Sequence, residues 1–190
     1  MSHLLLAAAL CLTAAPAAGV APAGQFYAEG EYFTLTVPDG WTKKEPGLGL
    51  SDAEKKVFGA EFFGPAADGL AVLVGAHYYA PGNLLHATPE KFIKLHAAPA
   101  IGVNLDGKVY GPVKAGKAGN YYAKVFERKT FEYQPKDALH PKKIHIYEKF
   151  HVVPVKNGFY VLHYYAPMDL AKANLKKYEA VVASFKPLKR

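Results

Sequence analysis

Ten consecutive residues, Leu70 to Tyr79, are almost wholly apolar: Leu-Ala-Val-Leu-Val-Gly-Ala-His-Tyr-Tyr. A strand with one wet face alternates apolar and polar side chains, and this stretch does not. It reads as a strand covered on both faces. Val57 to Phe63 precedes it as another strand, and the short loop through Gly64-Pro65 and Asp68-Gly69 joins the two as an antiparallel hairpin. The sheet is therefore antiparallel and sheathed on both sides, not a one-sided sheet.

The remaining elements follow from periodicity and punctuation. Phe33, Leu35 and Val37 alternate with Thr34 and Thr36, a half-buried strand stopped by Pro38-Asp39-Gly40. Trp41, the sole tryptophan, follows as a plug at the sheet's end. Ser51-Asp52-Ala53-Glu54 has the spacing of a capping box. Thr88-Pro89-Glu90 starts a helix with an N-cap, a proline in the first turn and an acid near the positive helix end. Its expected inward face carries Phe92, Leu95 and His96, and Pro99 ends it. Lys108 to Val113 is a short strand, and Tyr121–Tyr133 and Ile144–Val155 are long ones. Asn157-Gly158 is a two-residue hairpin signal of type I′, with Phe159–Tyr165 as the return strand. The last helix runs from Pro167 to Phe185, capped by Asp169, with Leu170, Asn174, Tyr178, Val181 and Phe185 facing inward.

The first 24 residues contain no Asp, Glu, Lys or Arg. An apolar run from Leu4 to Leu12 precedes Ala-x-Ala sites, the pattern of a secretory signal peptide over residues 1–23. Pro16 interrupts the run well short of the roughly 20 apolar residues a spanning helix takes. Leu10 before Cys11 is too large for lipoprotein processing, so Cys11 leaves with the signal. The exported chain then has no thiol chemistry. Residues 24–30 are expected as a flexible linker and 31–190 as a single globular domain. The expected location is the periplasm, with secretion as the alternative, and without a membrane-spanning segment in the mature chain. The formal charge of +7 favours a protein or anionic surface as partner. Nucleic acid is not expected, because the basic residues are dispersed and the protein is exported.

Two pieces of the chain together resemble the PsbP-like superfamily: Phe33-Thr34-Leu35-Thr36-Val37-Pro38-Asp39-Gly40-Trp41 at one end, and at the other a Phe159-Tyr160-Val161-Leu162 hairpin strand followed by a helix closing on Ser184-Phe185. That superfamily includes the extrinsic photosystem II protein and bacterial DcrB-type relatives. The resemblance implies an α+β fold, a three-layer α/β/α sandwich around a central, mainly antiparallel twisted sheet. It also implies docking, assembly or accessory work, with no shared catalytic residue.

The expected function is therefore an exported, non-catalytic binding or assembly protein without a cofactor. Two alternatives compete with it. One is a metal-handling accessory protein, for which His140, His145 and Asp137 are the candidate ligands, an imidazole and carboxylate set of the kind zinc accepts. The other is a small hydrolase using a carboxylate and a histidine; a His and an acid about 3 Å apart in a concave pocket would favour it. A two-residue Asn157-Gly158 turn pairs His151 with Tyr164 and His163 with Val152. It gathers Tyr147, Lys149, His151 and Tyr164 as the candidate partner-binding face, and places Glu148 beyond the strand end, opposite Pro167. The serines of the exported chain, Ser51 and Ser184, sit at helix ends and are no nucleophiles.

Overall fold

The computed structural model describes residues 24–45, 47–99 and 107–189. The signal-peptide reading of residues 1–23 lies outside the described residues. Eleven strands and three helices are described: β1 (Gly24–Glu29), β2 (Phe33–Pro38), β3 (Thr42–Lys43), α1 (Asp52–Lys55), β4 (Val57–Ala67), β5 (Leu70–Tyr79), α2 (Pro89–His96), β6 (Val109–Tyr110), β7 (Lys114–Ala118), β8 (Tyr121–Gln134), β9 (Lys142–Val155), β10 (Gly158–Pro167), α3 (Met168–Ser184) and β11 (Lys186–Pro187). An eight-stranded sheet runs β3-β4-β5-β10-β9-β8-β6, with β7 also paired to β8, and a smaller sheet runs β1-β2-β11. Every pairing among these strands is antiparallel. The chain is an α+β protein. None of the described helices is long and apolar enough to cross a membrane.

Strand β5 is an inner strand, buried along one face from Val72 to Tyr78 and on the other mainly toward Tyr79, so the expected cover on both faces holds only in part. Val72, Val74, Ala76 and Tyr78 join the core under α3, together with Tyr160, Leu162 and Tyr164 of β10. Phe33, Leu35 and Val37 of β2 close that same core, so the layer over this face is a helix together with the small sheet. On the opposite face Val57, Tyr79, Phe126, Phe150, Val152, Phe159 and Val161 form a second core around Phe92 of α2. Helix α2 is only eight residues long. It sheathes one end of its face and leaves the stretch around Glu61, Gly75 and His163 uncovered.

Several expectations change. Residues 24–30, expected as a linker, contribute strand β1, which pairs along β2. Tyr27 anchors it, its ring edge-on to Phe62 at 4.9 Å. Leu95 is 54% exposed, and Phe92 with His96 forms the inward side of α2 instead. Asp169 lies within the first turn of α3, whose N-cap is Pro167 without a side-chain cap. The hairpin turn is Lys156–Asn157, because Gly158 pairs with Val155 as the first residue of β10. Gly158 has φ +100°, and a Cβ there would run into the Tyr79 carbonyl, so its glycine serves the close approach of β5. The register therefore moves by two residues: His151 faces Leu162, His163 faces Phe150, and Glu148 faces Tyr165.

Strand β7 has no sequence signal, yet its turn holds the end of α3. Gly119 adopts φ +53° and donates its N–H to the Val182 carbonyl at 2.7 Å. A Cβ at that position would collide with the Phe185 carbonyl. Gly119→Ala is expected to lower unfolding stability by about 2 kcal/mol, from left-handed strain and displaced backbone together. A urea denaturation midpoint equal to wild type contradicts this coupling of hairpin to helix.

Candidate functional site

The uncovered stretch of the second face is built by strand register. Glu61 of β4, Gly75 of β5 and His163 of β10 lie side by side across three strands, followed by Phe150 of β9 and Phe126 of β8. Gly75 is the floor, and the His77 ring and the Glu61 stem lean over it at 3.4–3.6 Å from where a Cβ would stand. Helix α2 and the loop before it supply the roof. Asn83 fixes that loop with both ends of its amide: Oδ1 accepts from the backbone N–H groups of Leu85 and His86 at 3.1 and 2.7 Å, and Nδ2 donates to the carbonyls of Ala80 and His86 at 2.9 and 2.8 Å. His86 is thereby held against Phe92, ring centroids 4.9 Å apart, and His96, 5.4 Å apart. The result is a cavity of about 180 Å³ lined by His77, His86, His96 and His163, with Glu61, Arg128 and the aromatic rings of Tyr79, Phe92 and Phe150.

A buried ion-pair network anchors one wall. Arg128 grips Glu148 with two nitrogens, Nε to Oε2 at 2.6 Å and Nη2 to Oε1 at 2.8 Å. Thr130 donates to the same carboxylate at 3.1 Å, and His163 Nε2 meets Oε1 at 3.1 Å. The His163 ring stacks on Phe150 at 4.3 Å, and the Arg128 guanidinium lies over the same Phe150, 5.2 Å from its centroid. Burial works to raise the Glu148 proton affinity, and the hydrogen bonds and charges of His163 and Arg128 overcome it, holding the carboxyl down at about 2. On the opposite wall Lys44 pairs with Glu61 at 2.6 Å.

The imidazoles under the roof are kept neutral. Burial lowers His86. Burial, then the neighbouring Arg128 charge, brings His96 down to about 4. Burial lowers His77 as well, partly opposed by Glu61. Arg128 Nη1 approaches His96 Nδ1 at 3.4 Å. A guanidinium only donates, so Nδ1 accepts and the ring proton sits on Nε2. That Nε2 is buried and has no hydrogen-bond partner among the described residues.

The residues singled out from sequence fall elsewhere. Tyr164 is fully buried and donates to the Ala171 carbonyl at 2.8 Å, and His151 is buried against Tyr178 at 2.8 Å. Both are interior under α3, so they present no partner-binding face. Tyr147 is half-buried beside them, its ring 6.2 Å from that of Tyr164. Lys149 is spent on Glu127 at 3.4 Å and Glu179 at 3.6 Å. His145 is exposed on β9, opposite Phe131. It borders a shallow depression with Asp68, Lys142 and Asp169, while His140 and Asp137 sit exposed in the β8–β9 loop. The structure does not gather His140, His145 and Asp137: among the described residues no group of three or more His, Cys, Asp or Glu side chains is placed to hold a metal ion. The Glu148–His163 pair, by contrast, is 3.1 Å apart, but only His163 lines the cavity and Glu148 is buried behind it. The two-residue register shift is what conceals it in the sequence.

No protein-family model matches the chain, and no curated protein matches it. Solved structures similar to it include a protein of Bacteroides thetaiotaomicron VPI-5482, with 14% identity, a TM-score of 0.48 and coverage of 86% of this chain and 48% of that one. The chain spans about half the length of that relative. LpqN of Mycobacterium tuberculosis, involved in cell envelope biogenesis, is 16% identical over 82% of each chain with a TM-score of 0.43. The cyanobacterial PsbP of Synechocystis sp. PCC 6803 is 14% identical over 93% of this chain and 98% of its own, with a TM-score of 0.46.

Proposed function

We propose that the chain is an exported accessory protein that works by binding, without catalysis or a cofactor, and that it holds a small ligand in the histidine-lined cavity. The carrying observation is a concave space of about 180 Å³ between aromatic rings and four imidazoles, at the place where α2 leaves the sheet uncovered. We read the architecture as a three-layer α/β/α arrangement whose second helical layer is incomplete, and the gap as the site. Export to the periplasm, or secretion, rests on the amino-terminal sequence. The protein's positive charge fits a partner or ligand of anionic character.

A thermal-shift screen of small polar aromatic and aliphatic compounds tests the reading, because a ligand of the native state must raise the melting temperature. Hits are expected to perturb the imidazole resonances of His86, His96 and His163. If no compound moves the melting temperature, the cavity is not a ligand site.

The Glu148–His163 contact favours a second reading, hydrolysis with His163 as general base to a water. One feature weighs against it: Arg128 grips both oxygens of Glu148, so this carboxylate is not free to act on His163 alone. Ester turnover abolished by Glu148→Gln would install the hydrolase in place of the binding protein.

A further inference from the structure

We infer that the cavity selects a small aromatic or cyclic carboxylate, whose oxygen accepts the unpartnered Nε2 proton of His96 while its ring lies among Phe92, Phe150 and Tyr79. The inference rests on the binding reading above and names the ligand class of that site. Three observations carry it.

The first is the tautomer. Arg128 Nη1 at 3.4 Å makes His96 Nδ1 the acceptor, so Nε2 is left as a buried donor, without a partner among the described residues, on a ring that borders the cavity. A buried donor without a partner calls for an acceptor. The second is size. A cavity on the order of 150 Å³ takes a benzene-sized molecule, and this one measures about 180 Å³ with an aromatic wall. The third is charge. The two carboxylates near the cavity are both compensated, Glu61 by Lys44 and Glu148 by Arg128 and His163. The site therefore presents no net negative charge, inside a protein of net charge +7.

Binding of an anion there is coupled to protonation. His96 is faced by His86 from the preceding loop, Arg128 from β8, Glu148 from β9 and His163 from β10. Arg128 and the neighbouring imidazoles oppose a second proton on His96, and a bound carboxylate adds a negative charge that offsets them. The complex is therefore expected to take up a fraction of a proton near pH 6.

Titration calorimetry with benzoate, and with benzyl alcohol as its uncharged counterpart, decides the matter in the full protein. Benzoate is expected to bind about tenfold or more tightly than benzyl alcohol, a charged acceptor being the stronger hydrogen-bond partner. Its binding heat is expected to depend on the buffer's ionisation enthalpy, as proton uptake requires. His96→Phe, which keeps a ring beside Phe92 and removes the donor, should abolish that preference. Nitrogen-15 imidazole spectra of the unmutated protein give an independent reading, in which benzoate moves the His96 Nε2 resonance. Equal affinities for the two compounds, or a preference that survives His96→Phe, overturn the ligand class while leaving the cavity a binding site. Failure of every compound in the screen removes the site itself.

Discussion

Arg128→Ala is expected to lower unfolding stability by about 3–5 kcal/mol, the range for removing one partner of a buried ion pair. Glu148 is 4% exposed, so the carboxylate left behind cannot recover its hydration. It would keep only Thr130 and His163 as partners, each at 3.1 Å. The loss extends to the cation over Phe150 and to the contact with the His96 carbonyl. Adding Glu148→Gln to Arg128→Ala should restore part of the stability, because the uncompensated charge disappears. The pH dependence has a defined sign. Glu148 is held at about 2 in the folded chain, below its ordinary 4.5. Its contribution is complete above about pH 4.5 and is lost as the pH falls through 2, a shift worth roughly 3 kcal/mol. In Arg128→Ala that acid window should flatten. Equilibrium urea unfolding at several pH values measures both effects, and a single-mutant loss below about 1 kcal/mol would mean that the carboxylate is not left as an uncompensated buried charge.

What the sequence makes legible divides by distance along the chain. The Thr88 cap and the Ser51 capping box are readable because each is closed by hydrogen bonds between residues three apart. Strand β5 is readable as an inner strand because its apolar run lacks alternation, although its second face is only partly covered. Strand β7 is not, since Lys-Ala-Gly-Lys-Ala has no β-branched or aromatic residue; it forms because Gly116 leaves room for Val125 on β8. Strand β1 owes its form to its neighbour β2, a partner that Gly-Gln-Phe-Tyr-Ala-Glu-Gly at 24–30, without an apolar–polar alternation, does not announce. The parity of the β9–β10 histidines is local, so His151 and His163 do fall on opposite faces. Their partners are not local. Asn157-Gly158 carries the signature of a turn centre, but the Gly158 conformation is demanded by β5, which is 79 residues earlier at Tyr79. That long-range contact shifts the register and brings Glu148 within reach of His163. The cavity is less legible still, because it depends on β4, β5 and β10 lying side by side. Only that order sets Gly75 between Glu61 and His163.

Tyr178→Ala is expected to cost about 3–5 kcal/mol, the range for truncating a large buried ring. Tyr178 is fully buried, stacks on Tyr164 at 5.2 Å and ties α3 to the sheet. Its hydroxyl donates to the Leu162 carbonyl at 3.0 Å, so it accepts from His151, and the His151 proton sits on Nδ1 at 2.8 Å. Tyr178→Phe isolates this polar part and should cost about 1–2 kcal/mol, because a buried His151 donor is left unpaired. Burial, then the Lys149 charge, lowers His151 to about 4. The folded chain therefore binds fewer protons there than the unfolded chain. The associated stability is complete above about pH 6.5 and is lost as the pH falls through 4, at most roughly 3 kcal/mol. His96 and His77, lowered in the same direction, add to the same slope from the opposite face of the sheet. His151→Phe should remove the part of the slope that belongs to α3 and leave the part that belongs to the cavity. Unfolding free energies of wild type and variant between about pH 7 and pH 4 separate the two. If the slopes coincide, His151 takes up its proton as readily in the folded chain as in the unfolded one, and the lock between Tyr178 and the sheet does not hold it neutral.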